Sequence, residues 1–357
     1  MRLKVWSHFY PSLDVQLASD YTGGTEGLCK MADQMKKPDD ILMSSVAFMA
    51  EDVLCLAPEG SRVFLPFAII KAGKEFFRPR CPMVIDQGRS AVITEDILSD
   101  EINGVYINAP AYLKAHPKID FIYNSSLAIE IFTDLEKDAD RIHLYGDENV
   151  NMFISYMLKR KVKSHPEGCV CPTHNRIDLE DVKTIYDAAC KGYGAENVGI
   201  LIHGENRPET LRWGIEKGAL ISGTGGMYRE VEKGEKCAYV IATEEGLVSR
   251  IKHDFPDKKI LPVLAHCPNM KTITLEHLRL SKKRIKEGRV GARAVMDRTK
   301  PPYYTVEVVD EKCCVERDGC DILPTPIEIV IPDDIREVAA ERLRDMLYHA
   351  AGQGLGE

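Results

Sequence analysis

No run of apolar residues in this chain approaches the length that crosses a bilayer. The first twenty residues, MRLKVWSHFYPSLDVQLASD, also lack the apolar core of a secretory leader. Membrane insertion and secretion are therefore not expected, and a cytoplasmic location is. Positive charge is in short supply: 47 Lys and Arg face 55 Asp and Glu, for a net charge of −8. Nucleic acid demands a basic surface, so it is not an expected partner. Lys159-Arg160-Lys161 and Lys282-Lys283-Arg284 read as solvated helix faces. Neither a G-x-G-x-x-G fingerprint nor a Walker A loop occurs, which removes the main grounds for a nucleotide site. No low-complexity linker interrupts the chain, so its domains are expected to pack tightly. Nothing in the composition sets an oligomeric state, and an oligomer is compatible with it.

Cysteine, by contrast, is plentiful. An odd count of 11 in a chain without a leader points to a reducing compartment, with thiols or metal ligands rather than a disulfide frame. Three cysteines precede proline: Cys81-Pro82, Cys171-Pro172 and Cys267-Pro268. Chance pairing of 11 Cys with 19 Pro over 357 residues gives about 0.6 such pairs. They stand 90 and 96 residues apart, each close to the length of a small α/β domain. Three soft ligands, one per domain, can converge on an iron–sulfur cluster and leave its fourth corner open. Cys29, Cys55, Cys190 and Cys237 lie in apolar or helical contexts and read as core residues. Cys169 is a rival for Cys171, and the C-x-x-H spacing of Cys171 and His174 keeps a zinc protein open as an alternative.

Short apolar runs rich in Val and Ile end again and again in polar residues and then give way to helical patterns. Examples are Leu3–Val5, Arg62–Leu65, Val105–Ile107, Phe121–Tyr123, Ile142–Tyr145, Val198–Ile202, Leu220-Ile221 and Ala238–Ala242. Runs apolar throughout are the mark of buried parallel strands, and their alternation with helices makes the chain α/β. Parallel sheets hold ligands at the carboxyl ends of their strands, where nearly every polar cluster of this chain falls. His8, His174 and His203 each flank such an end or a cysteine, whereas His116, His143, His253 and His349 read as generic surface positions. His203 and Glu205 can act as an acid–base pair, and Tyr10 and Tyr106 can either move protons or pack. Two glycine-rich turns, Thr22–Gly27 and Ser222–Gly226, offer backbone N–H groups and hydroxyls to a phosphate or carboxylate. Residues 289–326 read as irregular, and Pro332-Asp333-Asp334 starts a final helix with Ile335, Val338, Ala339, Leu343, Met346 and Leu347 on one face.

Several segments together resemble the quinolinate synthase family, iron–sulfur enzymes that close the pyridine ring in NAD synthesis. They are His8-Phe9-Tyr10, Phe48-Met49-Ala50-Glu51, Cys81-Pro82-Met83, and Val105-Tyr106-Ile107-Asn108 with Lys114-Ala115. They continue with Cys171-Pro172-Thr173-His174, His203-Gly204-Glu205, Ile241–Gly246, and Cys267-Pro268-Asn269-Met270-Lys271 followed by Thr274-Leu275-Glu276. The resemblance implies three similar αβα domains with parallel sheets, arranged pseudo-threefold around a central [4Fe-4S] cluster. On that basis the expected units are 1–82, 83–172 and 173–288, then 289–326 as an insertion or lid with Cys313, Cys314 and Cys320, and 327–357 as a helix packing back.

The same resemblance implies Cys81, Cys171 and Cys267 as cluster ligands, with the open iron acting as a Lewis acid. Tyr10 and Glu205 become acid–base groups supported by His8 and His203. Tyr106 and Asn108 orient the intermediate, with His174 nearby, while Ser125, Thr25 and Thr224 hold phosphate or carboxylate. Iminoaspartate and dihydroxyacetone phosphate are the implied substrates.

The departures from the family's pattern cluster where substrate is held. His-Pro-Glu-Cys reads His203-Gly204-Glu205-Asn206, and Gly-Ser-Thr reads Ser222-Gly223-Thr224. Asn-Thr-Ser reads Asn108-Ala109-Pro110, Thr-Ser-x-Asn-Ala reads Asn124-Ser125-Ser126-Leu127-Ala128, and a serine of the first glycine turn is Thr25. The spacing from Pro66 to Cys81 is longer than the family's. A paralogue acting on another small carboxylate is therefore the second expectation, and a non-catalytic iron–sulfur or zinc protein the third.

Overall fold

A computed structural model describes residues 3–6, 28, 31–32, 35–44, 47–66, 69–71, 75–77, 98–125, 140–267, 274–297, 304–313, 321–322 and 325–351. Strands β1 (Leu3–Trp6), β2 (Ile41–Ser44) and β3 (Arg62–Leu65) pair in parallel in that order, with helix α1 (Ala47–Leu56) between the last two. The short β4 (Ile69–Lys71) and β5 (Glu75–Phe77) then form an antiparallel pair.

The second sheet takes β6 (Ile102–Tyr106), β7 (Phe121–Tyr123), β8 (Ile142–Tyr145) and β9 (Lys163–His165), with α2 (Ala111–Lys114) and α3 (Glu148–Leu158) among its connections. Helix α4 (Leu179–Tyr193) leads to the third sheet. Here β10 (Val198–His203), α5 (Pro208–Glu216), β11 (Leu220–Ser222), α6 (Thr224–Lys233), β12 (Ala238–Glu244), α7 (Glu245–Asp254) and β13 (Lys259–Ala265) alternate strictly.

Both of these sheets are wholly parallel and have the same order: β7-β6-β8-β9 and β11-β10-β12-β13. All seven residues of β12 are buried, which is why its sequence, AYVIATE, is apolar until its carboxyl end. Burying each such Val or Ile contributes about 1.5–3 kcal/mol. Helix starts are set by local chemistry. Asp178 caps α4, and Thr274 with His277 forms a capping box on α8 (Leu275–Lys286).

The α/β architecture with several parallel sheets is the one expected, but the segment 289–326 is not irregular. Strands β14 (Ala292–Met296) and β15 (Tyr304–Val308) lie within it, as does the two-residue β16 (Asp321–Ile322), which pairs with β4. β14 and β15, with β17 (Ile327–Val330), extend the first sheet to the order β1-β2-β3-β17-β14-β15. Pro301-Pro302, between β14 and β15, and Pro324 and Pro326, just before β17, hid them. The final helix α9 (Asp333–Ala351) forms as expected, burying Ile335, Ala339, Leu343 and Met346 against α1, α2 and β7.

Two smaller readings change as well. Cys237 is exposed rather than a core residue. His143 is half-buried, stacked on His165 at 5.0 Å and bonded to Glu101 at 3.0 Å.

Candidate functional site

The carboxyl ends of the second and third sheets face each other and bring their polar residues into one buried group. β10 ends in His203, followed by Gly204 and Glu205, and β12 carries Thr243 one residue before its end. From the second sheet come Tyr106, at the end of β6, and the loop beyond β9 that holds Cys171 and His174. His174 is the hub. Its Nδ1 lies 2.9 Å from Glu205 Oε2 and 3.3 Å from Cys171 Sγ, and its Nε2 lies 3.1 Å from Thr243 Oγ1. The His203 ring stacks on it at 4.1 Å, only 5° from parallel, and the Tyr106 hydroxyl donates to Glu205 Oε1 at 3.3 Å. Cys171, His174 and Glu205 each offer a ligand atom within 4.8 Å of the others, so this trio can hold a metal ion.

Electrostatics separates the two stacked imidazoles. Burial alone would lower His174, but Cys171 and then Glu205 outweigh it and hold His174 well above the ordinary imidazole range. Burial and the neighbouring His174 push His203 well below that range. One ring is therefore charged and the other neutral, which lets them stack without repulsion. Burial, with Asp147 and Glu148 adding to it, pushes the Cys169 thiol up to about 12.

The surrounding loops are held by side chains from the start of α3. Asp147 is fully buried, and its Oδ1 accepts from Val150 N at 3.0 Å as the helix cap. Its Oδ2 accepts from Cys171 N at 2.7 Å. Burial, then Glu205 and Cys171, push this carboxyl well above the ordinary carboxylate range, against the two N–H bonds that pull it down. Asn149 donates to the Glu205 carbonyl at 3.1 Å, and Asn206 donates to the carbonyls of His203 and Ala242, tying β10 to β12. Gly204 has its own requirement: a Cβ there would stand 2.8 Å from Ser125 Cβ. No larger residue fits unless Ser125 moves.

Of the residues singled out in the sequence, Cys171, His174, His203, Glu205 and Tyr106 are brought together, and Ser125 touches the group through Gly204. Asn108 is buried two residues beyond β6, and Cys267 is buried two residues beyond Ala265, which pairs with Glu244. Thr224 opens α6 beyond β11, on the opposite side of β10 from Thr243. His8, Tyr10, Thr25 and Cys81 lie outside the described residues. Sequence reasoning did not single out Thr243, Asp147 or Asn149 as site residues. All three stand at strand ends or a helix start, a general signal that does not choose among its many instances.

Comparison with known proteins bears on the chain's family. A family model for Quinolinate synthetase A protein matches residues 1–298. Among curated relatives, Quinolinate synthase 2 of Methanosarcina acetivorans is 30% identical over 286 residues, covering 77% of this chain and 81% of its own. Quinolinate synthase of Pyrococcus abyssi is 29% identical over 290 residues, covering 77% and 84%. That of Caldicellulosiruptor saccharolyticus is 31% identical over 281 residues, covering 76% and 82%. With a buried Cys–His–Glu group at the meeting of two parallel sheets and a match over most of its length, the chain belongs to the quinolinate synthase family.

Proposed function

We propose that this chain is an enzyme of NAD biosynthesis that condenses iminoaspartate with dihydroxyacetone phosphate, releasing phosphate and water, to form quinolinate. The observation that carries this reading is the His174 hub, which places a thiol, a carboxylate and a phenol around one charged imidazole in a buried site. Cys81, Cys171 and Cys267 would hold a [4Fe-4S] cluster. Cys171 and Cys267 suit it: both are buried thiols rather than half-cystines, and soft sulfur donors favour iron–sulfur centres. When bound, the cluster supplies a Lewis-acidic iron at its open corner.

The side chains supply the proton chemistry. Glu205 takes a proton from the bound substrate at Oε2, with the Tyr106 hydroxyl orienting the carboxylate through Oε1. His174, hydrogen-bonded to Glu205 and Thr243, returns a proton to a departing oxygen. Neutral His203 covers its face and excludes water from it. Tyr10 would be a second acid–base group supported by His8, and Asn108, Ser125, Thr25 and Thr224 would hold the substrate's carboxylate and phosphate.

The test supplies both substrates to anaerobically reconstituted protein and measures quinolinate by chromatography. Product from the wild type and its loss in Glu205→Gln are expected. A cluster-replete protein that makes no quinolinate would overturn the substrate assignment. The departure at Gly204, which replaces the family's proline beside Ser125, favours a second reading in that event, a family member acting on a different small carboxylate. Metal analysis separates a third reading: a colourless protein with one zinc on Cys171, His174 and Glu205 would make this a zinc protein instead.

A further inference from the structure

We infer that Asp147-Glu148-Asn149, the cap and first two residues of α3, are positioning residues that lock the Cys171 loop and the Glu205 loop against each other. The inference rests on the function proposed above and adds residues to the machinery of that site. A helix N-cap needs one side-chain oxygen, and Asp147 Oδ1 supplies it to Val150 N. The second oxygen is the informative one. It is fully buried and accepts from Cys171 N at 2.7 Å, a short bond to the backbone of an expected cluster ligand.

Glu148 extends the grip along the same loop. Its own N–H donates to the Cys169 carbonyl at 2.8 Å, and its Oε2 accepts from Gly168 N at 2.9 Å. Residues 168–171 are thus held at three points by two consecutive residues. Asn149 reaches the other way, donating to the Glu205 carbonyl at 3.1 Å and to Asn175 Oδ1 at 3.3 Å, while Arg207 Nε donates to the Asn175 carbonyl at 2.6 Å. One tripeptide therefore fixes the soft ligand of the second sheet and the acid–base carboxylate of the third. A cap alone accounts for none of the bonds to Cys171, Gly168 or Glu205.

The two ends of the bracket make separable predictions. Bonding to Asp147 keeps the Cys171 amide away from cluster sulfur, and hydrogen bonds to sulfur are one of the levers on cluster potential. Asp147→Asn keeps an oxygen for Val150 N, so α3 still starts, but sets an amide N–H against Cys171 N–H. Asn149→Asp sets a carboxylate oxygen against the Glu205 carbonyl and keeps all three bonds to residues 168–171.

The experiment uses anaerobically reconstituted full-length protein and reads iron release to a chelator, the electron paramagnetic resonance spectrum and midpoint potential of the reduced cluster, and steady-state kinetics. Asp147→Asn is expected to lose iron about tenfold faster than wild type, with an altered spectrum and a raised potential. Asn149→Asp is expected to hold iron at the wild-type rate, with kcat about tenfold lower, KM within about twofold and a displaced pH profile. Should Asp147→Asn not fold, Asp147→Ser keeps the cap with a single oxygen and tests the same bond.

Wild-type iron release and spectrum in the Asp147 variant would overturn the assignment while leaving the proposed function standing. Equal iron loss in both variants, tracking a shared fall in Tm, would overturn it too by showing general loosening. A wild-type protein that takes up no iron would overturn the proposed function, and this inference with it.

Discussion

The second and third sheets share one strand order, and position by position they carry different chemistry to their common edge. Their first strands, β6 and β10, end in Tyr106 and in His203 with Glu205, and these two ends meet through the Tyr106–Glu205 bond. After their third strands, β8 and β12, each places a carboxylate at a helix start, Asp147 on α3 and Glu244 on α7. Beyond their fourth strands, β9 and β13, each presents a buried cysteine, Cys171 and Cys267. A repeated scaffold thus yields repeated positions, and the residues at those positions are free to diverge. The cysteines stay alike, the caps keep their type, and the first-strand ends split into phenol and carboxylate.

The sharpest break of this comparison is at the first-strand ends. Glu205→Gln keeps the size of the side chain but removes the base, and kcat is expected to fall by about 10²–10⁴. Tyr106→Phe removes only the orienting bond and should lose far less; equal losses in stopped assays would show that the two ends are not differentiated.

Next comes the tether of the second sheet to α1. Lys114 and Asp52, both fully buried, pair at 2.5 Å. Lys114→Met strands the carboxylate, and about 3–5 kcal/mol of stability should disappear in urea titration, with Asp52→Asn in the same chain restoring part of it.

Gly204→Ala probes the seam between the two sheets. Overpacking against Ser125 should cost about 1–3 kcal/mol, and adding Ser125→Gly should recover it; no recovery would mean that the two strand ends do not press on each other.

The smallest effects are on pH dependence. His174 has a raised value in the folded state, so its contribution is fully present below the unfolded value of about 6.5 and fades as pH rises through the folded one. His174→Gln should therefore lower Tm most at acid pH. His203 has a lowered value, which costs stability as pH falls below about 6.5, so His203→Gln should gain on the wild type there. Parallel Tm–pH curves for the two variants would refute the division of charge between the rings.

Much of this frame is legible in the sequence because buried parallel strands are apolar throughout. The runs at 62–65, 121–123 and 142–145 match β3, β7 and β8 residue for residue. Two strands without such a signal are edges. β9 reads Lys163-Ser164-His165, and β13 carries Pro262, which an edge strand tolerates and a central one does not. Within the site, Cys171, His174, His203, Glu205 and Tyr106 were legible through the family's segments. Their meeting was not, since the contacts cross from one sheet to another over as many as 99 positions, and no local pattern encodes that. The Asp147–Cys171 bond was hidden for a different reason: from the sequence, Asp147 is an ordinary cap, and its second oxygen becomes informative only once its partner is known.

The first sheet stands apart from the other two, because its inner strand β3 is covered by β17 from the far end of the chain. Arg62 on β3 bonds to Glu328 on β17 across 266 positions. At roughly 5–20 residues per second, a ribosome takes on the order of tens of seconds to travel that distance. For that interval the nascent chain carries an unpaired strand edge, the kind of surface through which proteins aggregate. The covering strand and α9 lie beyond residue 298, where the family match ends, so a segment outside the matched region closes the first sheet.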